Sequence, residues 1–333
     1  MAGRRVFVSG VGGELGTLVA NLLEDEPWVG SLSGIDADPP RRRLQRTTFH
    51  RISPDDHDTI VDTVTKFNPH VLVHVGVWEP DARAAPRVAA ALTDQAAVSV
   101  LGAAAECRAL DSIIVRSGIE IYGRGPGSLT RPDEDAPLRP TSEWGRTVAD
   151  IERTAANVAE RVGVTVGAVR LASVLGPHVP SPLGRLLRQP VVPFHATTDP
   201  PFAVIEHRDA ARAIVAAARN QLSSPVNVVA PGAITCLHAI RRGQRIPLPL
   251  FGPQWWFARQ LSHITGAPIP DHVSEALTRG RLADNGRMQA LLGMTPDTST
   301  TEVIDHLYRW PRVIRKQARV PAAEQITPDE VSA

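Results

Sequence analysis

Val6-Phe7-Val8-Ser9-Gly10-Val11-Gly12-Gly13-Glu14-Leu15-Gly16 is the stretch that decides how this chain folds. A β-branched run over Arg4–Ser9 predicts a strand, and an apolar-periodic segment over Glu14–Glu24 predicts a helix. Between them stand Gly10, Gly13 and Gly16, spaced three apart. Gly10 permits the tight turn out of the strand. Gly13 leaves no Cβ in the way of an approaching phosphate, and Gly16 lets the helix pack close to the sheet. The helix would then present the unpaired backbone N–H groups of its first residues, Glu14 and Leu15, and the positive end of its dipole, to an anion. A glycine triplet alone is weak. After a strand, before a helix and near the N-terminus, it reads as the pyrophosphate cradle of a dinucleotide site.

Working outward, the first half alternates short β-branched runs with longer helical patterns. Strands are predicted over 29–35, 47–52, 71–75, 112–116 and 164–170, and helices over 56–66, 86–108 and 142–161. Strands apolar on both faces, separated by helices, imply a parallel sheet covered on each side. The expected fold is α/β, a Rossmann-type doubly wound parallel sheet with a smaller C-terminal substrate-side subdomain. Residues 1–170 form the dinucleotide-binding domain in this reading. Residues 171–310 form the substrate side and return part of the sheet to the core, and 311–333 form a flexible tail, basic and then polar. The span 123–140 is rich in Gly and Pro and reads as a loop. The span 177–201, with its many prolines, reads as loop with one short helix. Further on, a helix is expected over 208–220, a strand over 226–229 and a helix over 254–265.

The composition excludes several classes. The 333 residues carry a formal net charge of +1, so no electrostatic case exists for nucleic acid or an anionic membrane. Two cysteines, Cys107 and Cys236, stand far apart, with no metal-ligand spacing and no disulfide framework, which fits a reducing compartment. No apolar run reaches the roughly 18 residues of a membrane span, and the first is too short for a signal peptide. The chain is therefore expected to be cytoplasmic, with no metal.

Asp36 ends the second predicted strand, twenty residues after Gly16. A carboxylate there accepts hydrogen bonds from adenosine ribose hydroxyls and repels a 2′-phosphate, which favours NAD over NADP. Arg41, Arg42 and Arg43 follow and could instead hold a 2′-phosphate, although a solvated basic loop is the plainer reading.

Taken together, these residues resemble the extended short-chain dehydrogenase/reductase superfamily, in particular its NAD-dependent epimerases and dehydratases of the UDP-glucose 4-epimerase type. The likeness runs through nearly the whole chain. Residues 9–16 are similar to that family's Thr-Gly-x-x-Gly-x-x-Gly. Residues 70–76 resemble its fourth strand, which implies that Gly76 lies beside the cofactor. Residues 113–123 resemble the fifth strand, ending in a Tyr-Gly pair at Tyr122-Gly123. Arg170-Leu171 and Gly176-Pro177 resemble the segment after the sixth strand, residues 204–209 the His-x-x-Asp segment, and residues 283–296, with Leu292-Gly293, the C-terminal Asp…Leu-Gly-x-x-Pro stretch. The resemblance implies NAD as cofactor and a nucleotide-sugar or other small molecule as ligand. A homodimer is a further expectation.

The catalytic residues do not carry over. The family uses a Ser or Thr after the fifth strand, then Tyr-x-x-x-Lys on the following helix, the tyrosine as acid/base and the lysine to lower its pKa and bind the nicotinamide ribose. Aligning on Tyr122-Gly123 puts Gly118 at the Ser/Thr position, with Ser117 one residue before. Aligning on Pro140 and Glu152 puts Trp144 at the tyrosine and Val148 at the lysine. No alignment is needed to exclude the motif elsewhere. Pro126 follows Tyr122 by four and Arg312 follows Tyr308 by four, and these are the only two tyrosines. The family's Asn on the helix before the fifth strand is replaced by Gln95 or Ala96.

Whether the chain is an enzyme is left open by this gap. Its catalytic residues are unassigned, with Ser117 and Glu120 as candidates because both follow the fifth strand. His70 and His74 share a strand face, but with no third ligand they read as core or cofactor-adjacent histidines and not as a metal site. Arg185, Arg188 and Arg208 fall where family members bind phosphates, and in so arginine-rich a chain each alone reads as a surface residue. Trp255, Trp256 and Phe257 read as core packing or a dimer contact.

Overall fold

The computed structural model describes residues 3–80, 85–252, 254–255 and 268–310. The cradle lies where the sequence puts it, between β1 (Arg4–Ser9) and α1 (Glu14–Glu24). The chain then continues through β2 (Val29–Asp36), β3 (Thr47–Arg51), α2 (His57–Phe67), β4 (Val71–His74), α3 (Pro86–Ala104) and β5 (Ser112–Gly118). A single 3₁₀ turn, Ile119–Tyr122, leads by way of a loop to α4 (Glu143–Val162) and β6 (Thr165–Leu171). Beyond these come β7 (Ser173–Leu175), α5 (Pro182–Leu187), β8 (Val191–His195), β9 (Val204–Glu206), α6 (His207–Arg219) and β10 (Pro225–Val228). The described part closes with α7 (Cys236–Arg242), β11 (Ile246–Leu250), α8 (Asp271–Arg279), α9 (Gly286–Leu292) and α10 (Thr300–Arg309).

Seven strands form one sheet in the order β10-β6-β5-β4-β1-β2-β3, with every pair parallel. The order reverses between β1 and β4, the switch point at which such sheets open a crevice at the carboxyl ends of their strands. Alternation along the strands divides the core. Val6 and Val8 pack with Leu15 and Leu18 of α1 and Ile214 of α6, whereas Phe7 and Leu72 pack with Ile60 of α2 and Leu101 of α3. The sheet is thus apolar on both faces because helices cover both. A third cluster, from Leu183, Phe194, Ile240, Val273 and Leu307 among others, gathers the C-terminal elements.

Local chemistry sets the helix ends. Asp56 is the cap of α2, accepting from the Thr59 N–H, and Ser142 caps α4 by accepting from the Gly145 N–H. Gly163 ends α4 in the left-handed region, and Ser299 with Glu302 forms a capping box on α10. Gly123 has φ of 65°, and a Cβ there would meet the Arg139 carbonyl oxygen, so the Tyr-Gly pair needs its glycine. Tyr122 donates its hydroxyl hydrogen to Asn227 Oδ1 and accepts from Arg170, whose guanidinium grips Glu152 in a forked pair.

Three readings change, the first being the helix expected over 86–108, which ends at Ala104. The span 177–201 contains its short helix α5 but also β8, which pairs in parallel with β11. In β11, Pro247 and Pro249 alternate with residues whose nitrogens face β8, as Ile246 does in donating to the Pro190 carbonyl, so neither proline is asked for a ladder hydrogen. The strand on 112–116 runs two residues further, to Gly118. The helix expected over 254–265 and the tail over 311–333 lie outside the described residues, apart from Gln254 and Trp255 at the start of that helix. No helix of the described residues is long and apolar enough to cross a membrane.

Candidate functional site

A cavity of about 830 Å³ opens over the cradle. Gly10, Gly13, Glu14, Leu15, Gly16, Asp36 and Gly76 all line it. The three cradle glycines differ in what holds them. Gly10 has φ of 89°, and a Cβ on it would lie 2.4 Å from the Gly76 nitrogen. At Gly16 a Cβ would lie 1.8 Å from the Gly10 carbonyl oxygen, which forces the close helix–sheet approach. At Gly13 the nearest atom to a Cβ is 3.7 Å away, so nothing in the protein demands a glycine there. The open space over Gly13 belongs to the cavity. Gly13 is also the N-cap of α1, and no side chain caps that helix. The N–H groups of its first turn are left facing the cavity, as a pyrophosphate would require. These residues fit a dinucleotide.

Asp36 also lines the cavity. Its Oδ2 accepts from the Gly12 N–H at 2.9 Å and its Oδ1 from the Asp38 N–H at 3.0 Å. Burial pushes its pKa up, and these two backbone donors oppose that. A Cβ on Gly12 would lie 2.7 Å from the Asp36 Cγ, so Gly12, not singled out in the sequence, is the glycine that admits the carboxylate. Arg41 and Arg42 also line the cavity, and Arg42 pairs with the buried Glu14 at 3.1 Å, while Arg43 is not among the lining residues.

The inner end is built from Val77, Trp78, Glu79 and Arg116. Glu79 Oε1 lies 3.0 Å from His272 Nε2 of α8, and the His272 ring lies 5.9 Å from the Trp144 ring. Trp144 and Val148, on the first turns of α4, are both buried. The candidates Ser117 and Glu120 differ sharply. Ser117 sits on the face of β5 opposite Arg116 and Gly118, and its buried hydroxyl has no hydrogen-bond partner among the described residues. Glu120, on the 3₁₀ turn, is 4% exposed, and burial drives its pKa up against the pull of Arg281 and His272. Glu79, Arg116 and His272 escaped the sequence reading because the first and last are 193 residues apart and meet only in the fold.

The other candidates are occupied elsewhere. His70 Nδ1 accepts from the Arg5 N–H, and His74, with its pKa pushed down to about 4 by complete burial, shares a hydrogen with the Ser9 hydroxyl. Arg188 donates to the Leu307 and Trp310 carbonyls at the end of α10. Arg185 lies on α5 and Arg208 on α6, where it is exposed. Trp255 is buried and donates to the Ser274 hydroxyl, while Trp256 and Phe257 lie outside the described residues.

Known proteins place this architecture. The uncharacterized protein Rv0501 of Mycobacterium tuberculosis is 28% identical over 321 residues, covering 91% of this chain and 83% of that one. The fold is shared with the UDP-glucose 4-epimerase of Thermotoga maritima, solved with UDP-glucose, at a TM-score of 0.72 and 16% identity over 92% of this chain and 98% of that one. It is shared too with the UDP-glucuronic acid 4-epimerase of Bacillus cereus, solved with NAD, at a TM-score of 0.69 and 17% identity, covering 92% and 98%. Residues 6–229, the span from the cradle to the sheet's last strand, match the NAD dependent epimerase/dehydratase family, and the chain belongs to that family.

Proposed function

We propose that this chain binds NAD(H) in the cradle cavity and a nucleotide-sugar or other small ligand at its inner end, without the family's usual proton chemistry. In this reading residues 1–170 hold the dinucleotide and residues 171–310 close the ligand side. The observation that carries it is the pairing of an open cradle with a filled catalytic helix. The space over Gly13 is free, whereas Trp144 and Val148 are buried at the positions where the resemblance expects Tyr and Lys. Neither side chain can exchange a proton. NAD brings a hydride acceptor of its own, and what this chain supplies is grip and orientation. Asp36 favours NAD over NADP by charge, with Arg41 and Arg42 as the opposing groups. A cytoplasmic site of action agrees with two buried free thiols, that of Cys107 pushed up to about 11 by burial and so kept unreactive.

The test is a fluorescence titration with NADH, followed by addition of UDP-glucose or UDP-galactose. Saturable binding without turnover is the expected result. A second reading, an atypical epimerase, dehydratase or oxidoreductase with substitute groups, draws on the buried Glu120 and the Glu79–His272 pair. Turnover of either sugar would favour it.

A further inference from the structure

The missing side chain at Gly118 leaves a space, and that space is filled. An ideal Cβ at Gly118 would stand 2.4 Å from Glu120 Oε2 and 3.6 Å from the carboxyl carbon. The Glu120 carboxyl therefore folds back over the end of β5 to where a residue-118 side chain would start. Among the described residues no other side chain hydrogen bonds with it, although it is 4% exposed. Its own backbone N–H is the hydrogen-bond donor it has, and Arg281 and His272 act on it through their charge. Two residues earlier, on the same face of the strand, Arg116 reaches the cavity wall. Its guanidinium makes one hydrogen bond among the described residues, to the Val77 carbonyl at 3.5 Å; burial lowers its pKa, and the charges of Glu79 and Glu120 oppose that. Five donors with one long bond leave capacity for a ligand.

We propose that Glu120 and Arg116 are a compensating pair: the Glu120 carboxyl takes the place of the hydroxyl absent at 118, and the Arg116 guanidinium supplies, at the inner end of the dinucleotide cavity, the fixed positive charge absent at 148. Arg116, the member of the pair on the cavity wall, suits a ligand that presents a hydroxyl or carbonyl oxygen there, beside the nicotinamide. The proposal rests on the reading that the cavity holds NAD(H). Its two parts make separate demands. The spatial part requires residue 118 and residue 120 to compete for one volume. The electrostatic part requires Arg116 to distinguish NAD⁺, whose ring carries a positive charge, from neutral NADH.

The experiment uses the full chain. Melting temperatures are measured for Gly118→Ser, Glu120→Ala and the double variant. Gly118→Ser alone is expected to lower Tm by several degrees, and the double variant to regain at least half of that loss, because removing the carboxyl opens the volume the serine needs. Additive effects would overturn the spatial part. In parallel, dissociation constants for NAD⁺ and NADH are measured for wild type and Arg116→Met, with Arg116→Lys as the charge-conserving control. The methionine variant is expected to shift the ratio of the two constants about fivefold in favour of NAD⁺, and the lysine variant to stay near wild type. A ratio unchanged in Arg116→Met while wild type binds both dinucleotides would overturn the electrostatic part alone. If wild type binds neither dinucleotide, the reading of the cavity fails and the electrostatic part falls with it. The Tm coupling still decides the spatial part.

Discussion

The glycine cradle and the region around α4 differ in how their space is used. At the phosphate end every glycine of the cradle is in place, and the position that a pyrophosphate would cross, over Gly13, is open. Away from the cradle, the places where the family resemblance expects a hydroxyl, a tyrosine and a lysine hold a glycine overlain by a carboxyl, a buried tryptophan and a buried valine. In the proposed reading, binding geometry is kept and the usual proton chemistry is not. The difference teaches that the two regions are built separately: the cradle from β1, α1 and β4, and positions 118, 144 and 148 from β5 and α4, against which the C-terminal half packs.

The comparison breaks most severely if the inner end turns out to be catalytically ordinary. Acid/base groups each contribute about 10²- to 10⁴-fold, so the turnover of UDP-glucose or UDP-galactose is expected to fall at least ~10⁴-fold below ordinary rates of roughly 1 s⁻¹ or more. A coupled assay that finds such a rate in wild type sinks the idea. The constructive version installs Ser at 118, Tyr at 144 and Lys at 148. Because a side chain at 118 meets the Glu120 carboxyl, the set needs Glu120→Ala as well before activity rises.

At the other end, Gly13→Val is expected to cost about 100-fold or more in NADH affinity with little change in Tm. Gly13 has an ordinary extended conformation, φ −71°, and room for a Cβ, so only the ligand's path is blocked. Gly16→Ala sharpens the contrast. Its Cβ would fall 1.8 Å from a backbone oxygen, and overpacking of that kind costs about 1–3 kcal/mol or more, so Tm drops with it. Equal loss of stability in both variants would show that Gly13 is structural after all.

A smaller effect tests the adenosine boundary. Asp36→Asn removes the charge and keeps one acceptor oxygen of the two, so either the Gly12 or the Asp38 N–H loses its partner. The preference for NADH over NADPH is expected to shrink about tenfold, since Arg41 and Arg42 are already on the cavity wall. Tighter NADPH binding by the wild-type protein would reverse the assignment.

The smallest effect is a pH dependence. Burial raises the Glu120 pKa in the folded state above its unfolded value. Its contribution to stability is then fully present below the unfolded pKa and is lost as pH rises through the folded one. Arg116, Arg124, His272 and Arg281 face it with positive or potentially positive charge, and Glu79 with negative charge. Glu120→Gln escapes the loss, so its Tm advantage over wild type is expected to widen from pH 4 to pH 8. A flat difference would mean that the carboxyl ionises as easily inside as outside.

How far these features could be read from sequence follows from their range. Each strand of the first half starts and ends within two residues of its expected bounds, because β-branched runs and glycine breaks are local signals. The cradle and Asp36 were legible for the same reason. The pairing of β8 with β11 was not, because prolines at 193, 247 and 249 mimic loop composition unless the partner strand is known. The inner wall was invisible for a different reason. Arg116 reads as one more strand residue and His272 as one more helical residue. Only the packing of α8 against α4 brings the His272 ring to Trp144 and its nitrogen to Glu79.

The Glu79–His272 contact also has a consequence in time. A ribosome lays down the cradle and Glu79 first and must add another 193 residues before His272 exists. At about 5–20 residues per second that interval is roughly 10–40 s. β6, the sheet edge until β10 arrives at Pro225, waits through part of it as well. During translation the nascent chain therefore has the glycine cradle and Glu79 before it has the histidine that Glu79 pairs with. A dinucleotide meeting it then would find the cradle and Asp36 in place, and the Glu79–His272 contact would close beside it only when the last third of the protein folds.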